Sequence, residues 1–243
     1  MSLPFRALLA IMLIATSSIS LMAAEEPRET IEVVGWTLHI HPQLREAKHA
    51  AKTDRALEIL RTQLTEIVEI LPSADVAKLR QVPLFFSPPY PGETPNAAYH
   101  PNIDWLRKNG RDPLMARSVE FTNIEIFEKE WDRMPNFVLH ELSHAWHDRF
   151  LPMGYANPEV KRAFEDAKMS GRYAKVERRH GGDRPNTFGV AYAMNNPMEY
   201  FAECSEAFFG TNDFFPFDRA ELKKHDPEMF ALLGKLWRLP DAR

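Results

Sequence analysis

The sequence is poor in cysteine, in excess positive charge and in long hydrophobic runs, and each shortage excludes a class of protein. Cys204 is the single cysteine among 243 residues, so no disulfide can form within the chain and a small disulfide-stapled fold is excluded. Lysine and arginine number 30 against 34 aspartate and glutamate, which gives no electrostatic basis for binding nucleic acid. Hydrophobic residues make up 44% of the chain, which is too apolar for a disordered polymer and suits one or two compact domains.

The N-terminus contains an apolar run of the kind found in secretory signal peptides. Arg6 is the only charged residue among the first 24 and precedes an apolar stretch that begins at Ala7. The small pair Ala23-Ala24 follows, just before an acidic start, which is the pattern of a secretory signal peptide. The stretch is shorter than the roughly 20 residues that span a bilayer, so cleavage is favoured over an uncleaved anchor. We therefore expect residues 1–24 to be a signal peptide and the mature protein to be secreted or periplasmic, with no stable membrane span.

Hydrophobic spacing predicts the order of helices and strands. Alternation of apolar and polar residues predicts a strand or hairpin and two further strands, over 32–40, 82–86 and 118–127. Spacing of three and four residues, with prolines at helix boundaries, predicts four helices, over 44–71, 135–150, 158–173 and 197–210. The strand over 118–127 has an irregularity at Thr122-Asn123. Because strands come first and helices later, we expect one α+β domain over 25–243, with an N-terminal part, 25–134, and a helical part, 135–243.

Residues 140–144 have the pattern H-E-x-x-H. On a helix, residues four apart lie one turn above each other, so the imidazoles of His140 and His144 can reach one metal ion. Glu141 lies about 100° around the helix from His140, where a general base for the water of a catalytic zinc belongs. An apolar stripe lies more than a quarter-turn away and lets the helix bury its other side: Leu139, Leu142, Trp146 and Phe150. The pattern therefore predicts a zinc site with a catalytic glutamate.

The third ligand of a catalytic zinc must come from another residue, with the fourth position left to water. His147 is about 10 Å along the axis from His140, too far to share an ion, and is expected at the surface or beside the ligands. Glu199 and Glu203 lie four residues apart on a later helix, so one can bind zinc while the other accepts the free ring N–H of a ligand histidine. We expect Glu199 to be the ligand and Glu203 the acceptor, and the reverse assignment stays open.

Two segments carry a family resemblance: H-E-L-S-H-A-W-H at 140–147 and N-N-P-M-E-Y-F-A-E-C-S-E-A-F-F-G at 195–210. The chain resembles the gluzincin zinc peptidases, in particular the anthrax lethal factor-like metallopeptidase domains, over roughly residues 135–217. The resemblance implies a zincin-like metallopeptidase fold with Glu199 as third zinc ligand. It also implies that Tyr192, seven residues ahead of that glutamate, assists catalysis.

The expected activity is hydrolysis of peptide bonds in a peptide or protein substrate, with Zn²⁺ as cofactor. Glu141 would take a proton from the attacking water and pass it to the leaving amine, while Tyr192 would stabilise the oxyanion. The strand over 118–127 could offer a free edge to an extended substrate or be an ordinary inner strand. Segments 99–101 and 178–182 could line the cleft or be solvated loops. Two other activities stay open: a zinc-stabilised module that binds peptides without cutting them, and a zinc hydrolase of a non-peptide amide.

Overall fold

The computed structural model describes residues 27–239. The predicted signal peptide, residues 1–24, lies outside the described residues. A five-stranded sheet forms near the N-terminus of the described chain, and the C-terminal half is mainly helical, which confirms the expected α+β class. Within residues 27–239, no helix is both long enough and apolar enough to cross a membrane.

Strands and helices alternate irregularly along the described residues. The strands are β1 (Glu29–Val33), β2 (Trp36–Ile40), β3 (Leu84–Phe86), β4 (Ala97–Tyr99), β5 (Val119–Phe121), β6 (Val176–Arg178) and β7 (Thr187–Gly189). The helices are α1 (Ala47–Ile70), α2 (Ser73–Leu79), α3 (Ile103–Lys108), α4 (Phe127–Arg133), α5 (Phe137–Phe150), α6 (Pro158–Ser170), α7 (Pro197–Phe209), α8 (Arg219–His225) and α9 (Pro227–Leu236). Short 3₁₀ turns connect several of them, including Ile124–Ile126 and Tyr192–Asn195.

The main sheet has the strand order β1-β2-β3-β5-β4. β1 and β2 form the predicted hairpin and turn at Gly35, whose φ of 87° is in the left-handed region that glycine adopts easily. β2, β3 and β5 run parallel, and β4 returns antiparallel to β5. β4 is therefore an edge of the sheet, and β5 is paired on both sides. Of the two alternatives for the strand within 118–127, the inner strand is the correct one.

Successive residues of a strand point to opposite faces of the sheet, and apolar side chains cover both faces. Apolar residues of β3 and β5 pack on one side into the main core: Leu84, Phe86, Val119 and Phe121. On the other side, Phe85 packs into a small separate cluster with Leu106 and Met115. The backbone of the sheet is thereby fixed, and with it the position of the edge strand β4.

The chain leaves the sheet earlier than the alternation of apolar residues predicts. β5 ends at Phe121, Ile124–Ile126 forms a 3₁₀ turn and α4 follows. Thr122 closes the pairing with β4, since its hydroxyl accepts a hydrogen bond from the Asn96 backbone N–H and donates one to the Asn96 carbonyl. The predicted irregularity at Thr122-Asn123 is the end of the strand, and the apolar residues beyond it belong to helical turns.

Prolines and capping side chains set the starts of three helices. α6, α7 and α9 each begin with proline, and the side chains of Asn157, Asn196 and Asp226 accept hydrogen bonds from backbone N–H groups of their first turns. The predicted starts at 158 and 197 are confirmed. α5 begins at Phe137, two residues later than predicted, and residues 140–144 lie inside it.

A buried carboxylate holds α7 against the C-terminal helices. Asp226 accepts hydrogen bonds from the hydroxyl of Tyr200 on α7 at 2.6 Å and from the hydroxyl of Tyr173 at 3.0 Å. The guanidinium of Arg172 donates to it at 3.1 Å, and the backbone N–H of Met229 donates at 3.2 Å. Because Asp226 is almost fully buried, these groups satisfy a charge that burial would otherwise disfavour strongly.

We expect Asp226→Ala to lower the free energy of unfolding by about 3–5 kcal/mol, because it leaves two buried hydroxyls and an arginine without their acceptor. Chemical denaturation of the purified protein measures the loss. Asp218→Ala is the matched control, since Asp218 caps α8 from an exposed position and should cost only about 0.5–2 kcal/mol. An equal loss of free energy of unfolding in the two variants would mean that Asp226 acts only as a helix cap.

Candidate metal centre

α5 presents two histidines side by side. His140 and His144 lie one turn apart, with their Nε2 atoms 3.1 Å from each other. The apolar residues of the same helix, among them Leu142 and Trp146, are buried in the core, so the two rings are fixed on the opposite side. Lone pairs of two neutral imidazole nitrogens repel at this distance unless a proton or a metal ion lies between them.

Asn196 sets the start of α7 so that its first turn faces these histidines. The Asn196 side chain accepts hydrogen bonds from the backbone N–H groups of Met198 and Glu199, both at 2.9 Å. Oε2 of Glu199 lies 3.1 Å from Nε2 of His140 and 3.3 Å from Nε2 of His144. Helices α5 and α7 thus bring the three predicted ligands together.

His140, His144 and Glu199 fit a tetrahedral metal ion. Their donor atoms are 3.1–3.3 Å apart, and ligands about 2.0–2.1 Å from a tetrahedral zinc lie about 3.3 Å from one another. Burial raises the pKa of Glu199, but hydrogen bonds with His140 and His144 outweigh burial and hold the pKa well below its usual range. Glu199 is therefore ionised, and two imidazoles with one carboxylate would leave a fourth position of a zinc-class ion open.

Glu206 lies behind His140 and makes the contact that was predicted for Glu203. Oε1 of Glu206 is 2.6 Å from Nδ1 of His140, whereas Oε1 of Glu203 is 3.8 Å away. Glu203 accepts a hydrogen bond from Asn212 instead. Glu206 follows Glu199 by seven residues, two turns along the same helix face, so the helical spacing contained a signal for it.

Burial affects the pKa of both carboxyl groups beside His140. Burial, reinforced by Glu206, raises the pKa of Glu203 well above its usual value. Burial raises the pKa of Glu206 to about 7, against the opposing effect of His140. The distance of 2.6 Å identifies Glu206 as the group that accepts the Nδ1–H of His140. With a metal bound, that hydrogen bond would fix the tautomer in which the lone pair of Nε2 is free for the ion.

Glu141 is held by the edge of the sheet. Its Oε2 accepts a hydrogen bond from the backbone N–H of Tyr99, the last residue of β4, at 2.8 Å. The carboxylate lines the same cavity as His140. Of the segments that could line the cleft, 99–101 lies outside the cavity wall, and it orients the predicted general base through the backbone N–H of Tyr99.

Tyr192 lines the same cavity as Ala97 of β4 and lies in the 3₁₀ turn that precedes α7. Its side chain is 46% exposed and lines the cavity together with His140 and Glu141. Burial, reinforced by the charge of Glu199, raises the pKa of its hydroxyl. The hydroxyl therefore keeps its proton at neutral pH and can donate a hydrogen bond into the cleft.

His147 is neither at the surface nor hydrogen-bonded to a ligand, contrary to both expectations for it. The side chain is fully buried, and its ring packs against Tyr155 and Phe201 at centroid distances of 5.1 and 5.0 Å. Among the described residues, neither ring nitrogen has a hydrogen-bond partner. Burial lowers its pKa to about 3, so His147 is a neutral ring of the core.

The cleft beside His140 and Glu141 has a volume of about 420 Å³. Its walls come from four parts of the chain: the start of β4, the residues just before the histidine motif, the turn at Tyr192, and two charged residues at or near β6. These two residues are Arg178 and Asp213, whose side chains form an ion pair. The segment 178–182 therefore contributes Arg178, while Asp213 could not be found from a motif.

Comparison with known proteins gives little to add to this geometry. No family model matches the chain, and no curated protein matches it. The resemblance to the anthrax lethal factor-like domains therefore stays a prediction. Among solved structures, the chain is similar to the Pro-Pro endopeptidase PPEP-2 from Paenibacillus alvei, with 16% sequence identity and a TM-score of 0.41 over 77% of this chain and 90% of that one. A likeness this distant assigns neither activity nor substrate.

We expect Glu206→Gln to weaken zinc binding about 10- to 100-fold, because the imidazole of His140 loses its charged acceptor. Competition with a chromophoric chelator measures the affinity. Glu203→Gln is the matched control: the Glu203 carboxyl group is 3.8 Å from Nδ1 of His140, beyond hydrogen-bond distance, so its amide should leave the affinity nearly unchanged. A larger loss in Glu203→Gln than in Glu206→Gln would return the acceptor role to Glu203.

Proposed function

We propose that the chain is a zinc-dependent peptidase of the gluzincin type. The observation that carries the proposal is the meeting of His140, His144 and Glu199 within 3.1–3.3 Å, with Glu141 beside them and the edge strand β4 at the cleft. The proposal includes export, supported by the signal pattern of residues 1–24.

Glu141 would act as the general base and then as the general acid. A zinc ion held by the three ligands supplies Lewis acidity, which lowers the pKa of water and polarises a carbonyl. Glu141 takes a proton from the attacking water and passes it to the amine that leaves. The bond from the Tyr99 N–H keeps the carboxylate oriented for both transfers without a rearrangement of the side chain.

Tyr192 would stabilise the charge that develops on the carbonyl oxygen. Its hydroxyl remains protonated, is partly exposed, and shares the cavity with Glu141. A donor that is in place before the reaction stabilises the oxyanion more than the neutral carbonyl, and this difference lowers the barrier.

The edge of β4 favours a polypeptide as substrate. Backbone groups of Asn96 and His100 bond to β5, and pairing alternates along an antiparallel ladder, so the backbone groups of Ala97 and Tyr99 face away from the sheet. Tyr99 uses its N–H for Glu141, and Ala97 lines the cleft. An extended peptide can pair with such an edge, whereas a non-peptide amide has no matching backbone.

Glu141→Gln should retain zinc and abolish turnover, because the amide cannot accept the proton of the attacking water. The test is cleavage of a diverse unstructured peptide library by the zinc-loaded protein, with products identified by mass spectrometry. Glu159→Gln, an exposed glutamate on α6, is the matched control and should cleave like the parent. A parent that binds zinc and cleaves nothing would favour the peptide-binding module or a non-peptide substrate; turnover in Glu141→Gln would exclude Glu141 as base.

Tyr192→Phe should lower kcat about 10²- to 10³-fold, the usual effect of removing one oxyanion donor, with a small change in KM. The ring is kept, so packing and zinc affinity should stay as in the parent. Steady-state kinetics on the best library peptide give both constants. If kcat changes less than twofold, Tyr192 contributes only its ring to the cleft wall.

A further inference from the structure

Arg178 lines the cleft and takes no part in the proposed hydrolysis. It is the last residue of β6, paired with Thr187 of β7 on one side and bridged to Phe214 on the other. Its side chain is 34% exposed and lines the same cavity as Glu141 and Tyr192. A charged side chain at this place meets whatever occupies the cleft.

The guanidinium of Arg178 is fixed before any ligand arrives. Its Nε donates to Oδ2 of the buried Asp213 at 3.2 Å, and its Cζ lies over the ring of Phe214, 4.6 Å from the centroid. Asp213 also accepts from Arg133 at 3.2 Å, and Arg133 pairs with Glu130 at 2.6 Å. The charges of two arginines and two carboxylates thus balance one another. Because these contacts already restrict the rotamers of Arg178, its side chain loses little conformational entropy when a ligand binds.

The outer edge of this guanidinium is available to a ligand. Of its N–H donors, only the one on Nε bonds to a described residue. The terminal nitrogens need an acceptor once a ligand displaces water from the cavity. Their planar fork matches the two oxygens of a carboxylate, which accepts both bonds at once and carries the opposite charge.

We propose that Arg178 binds a carboxylate of the polypeptide in the cleft and so determines specificity. The carboxylate is either an acidic side chain, which indicates cleavage within a chain, or the C-terminal carboxylate, which indicates cleavage near the end. This inference rests on the proposed function, because it takes the occupant of the cleft to be a polypeptide.

Binding of short fluorescent peptides tests the inference, with zinc-loaded Glu141→Gln as the background so that turnover does not consume them. One peptide set replaces each position in turn by Glu or Gln, with an amidated C-terminus. A second set compares a free C-terminal carboxylate with its amide. We expect one carboxylate to tighten binding about 10- to 100-fold over its amide counterpart, the range for a charge-assisted hydrogen bond.

Variants of Arg178 assign this preference. Arg178→Gln should abolish it, and Arg178→Lys should retain a smaller part, because lysine keeps the charge without the fork. Arg179→Gln is the matched control: its guanidinium lies over the ring of Phe217, 3.5 Å from the centroid, and should leave the preference intact. Thermal unfolding and zinc content of each variant separate a loss of recognition from a loss of folding.

Each outcome decides the inference. A preference for Glu or for the free C-terminus that disappears in Arg178→Gln supports it and identifies the source of the carboxylate. Equal binding of acid and amide peptides, or a preference that survives Arg178→Gln, overturns it and leaves Arg178 with a backbone carbonyl or a purely structural role. Library cleavage by the parent separates the two proposals, since the peptidase can stand while the preference fails; if no peptide binds or is cleaved, both fail.

Discussion

The contact of His140 with carboxylates on both sides of its ring is the interaction on which the site depends. Glu206 meets Nδ1 at 2.6 Å and Glu199 lies 3.1 Å from Nε2, and both come from α7, whereas the histidine comes from α5. Buried charges are tolerated only when they are paired. The two helices can therefore pack closely only in an arrangement that pairs these groups, which is also the arrangement that brings the proposed metal ligands together.

The remainder of the helical half compensates for the polar groups that α7 buries. The side of α7 away from the histidines is apolar, with Phe201 and Phe208 fully buried. Tyr200, on the same helix, donates a hydrogen bond to Asp226. The carboxylate of Asp226 also accepts hydrogen bonds from Tyr173 and Arg172. Apolar packing and one satisfied buried carboxylate hold the helix from behind, while its acidic side faces the site. Rigidity behind the ligands keeps their donor atoms within the narrow range that a metal requires.

The spacing of residues along individual helices and strands was the basis for most of the correct predictions. A four-residue spacing on one helix decides that His140 and His144 share a face, whatever the tertiary structure. The choice between Glu203 and Glu206 could not be made in the same way, because the carboxylate that reaches Nδ1 depends on how α5 and α7 cross. Burial of His147 and the short strand β4 were missed for a related reason. β4 follows a proline-rich loop and exists because β5 pairs with it, and this long-range contact leaves no periodic signal.

The division between predictable and unpredictable residues follows the division between chemistry and recognition. Metal ligands and the general base need fixed spacing on regular helices, so their pattern is visible along the chain. The cleft walls come from short strands and turns, where Ala97, Arg178 and Asp213 meet only after folding. Walls of this kind can change while the metal residues stay the same, and one catalytic centre can then serve different substrates. If the proposed peptidase activity holds, its specificity is to be sought in the edge strand and the arginine-lined wall rather than in the histidine motif.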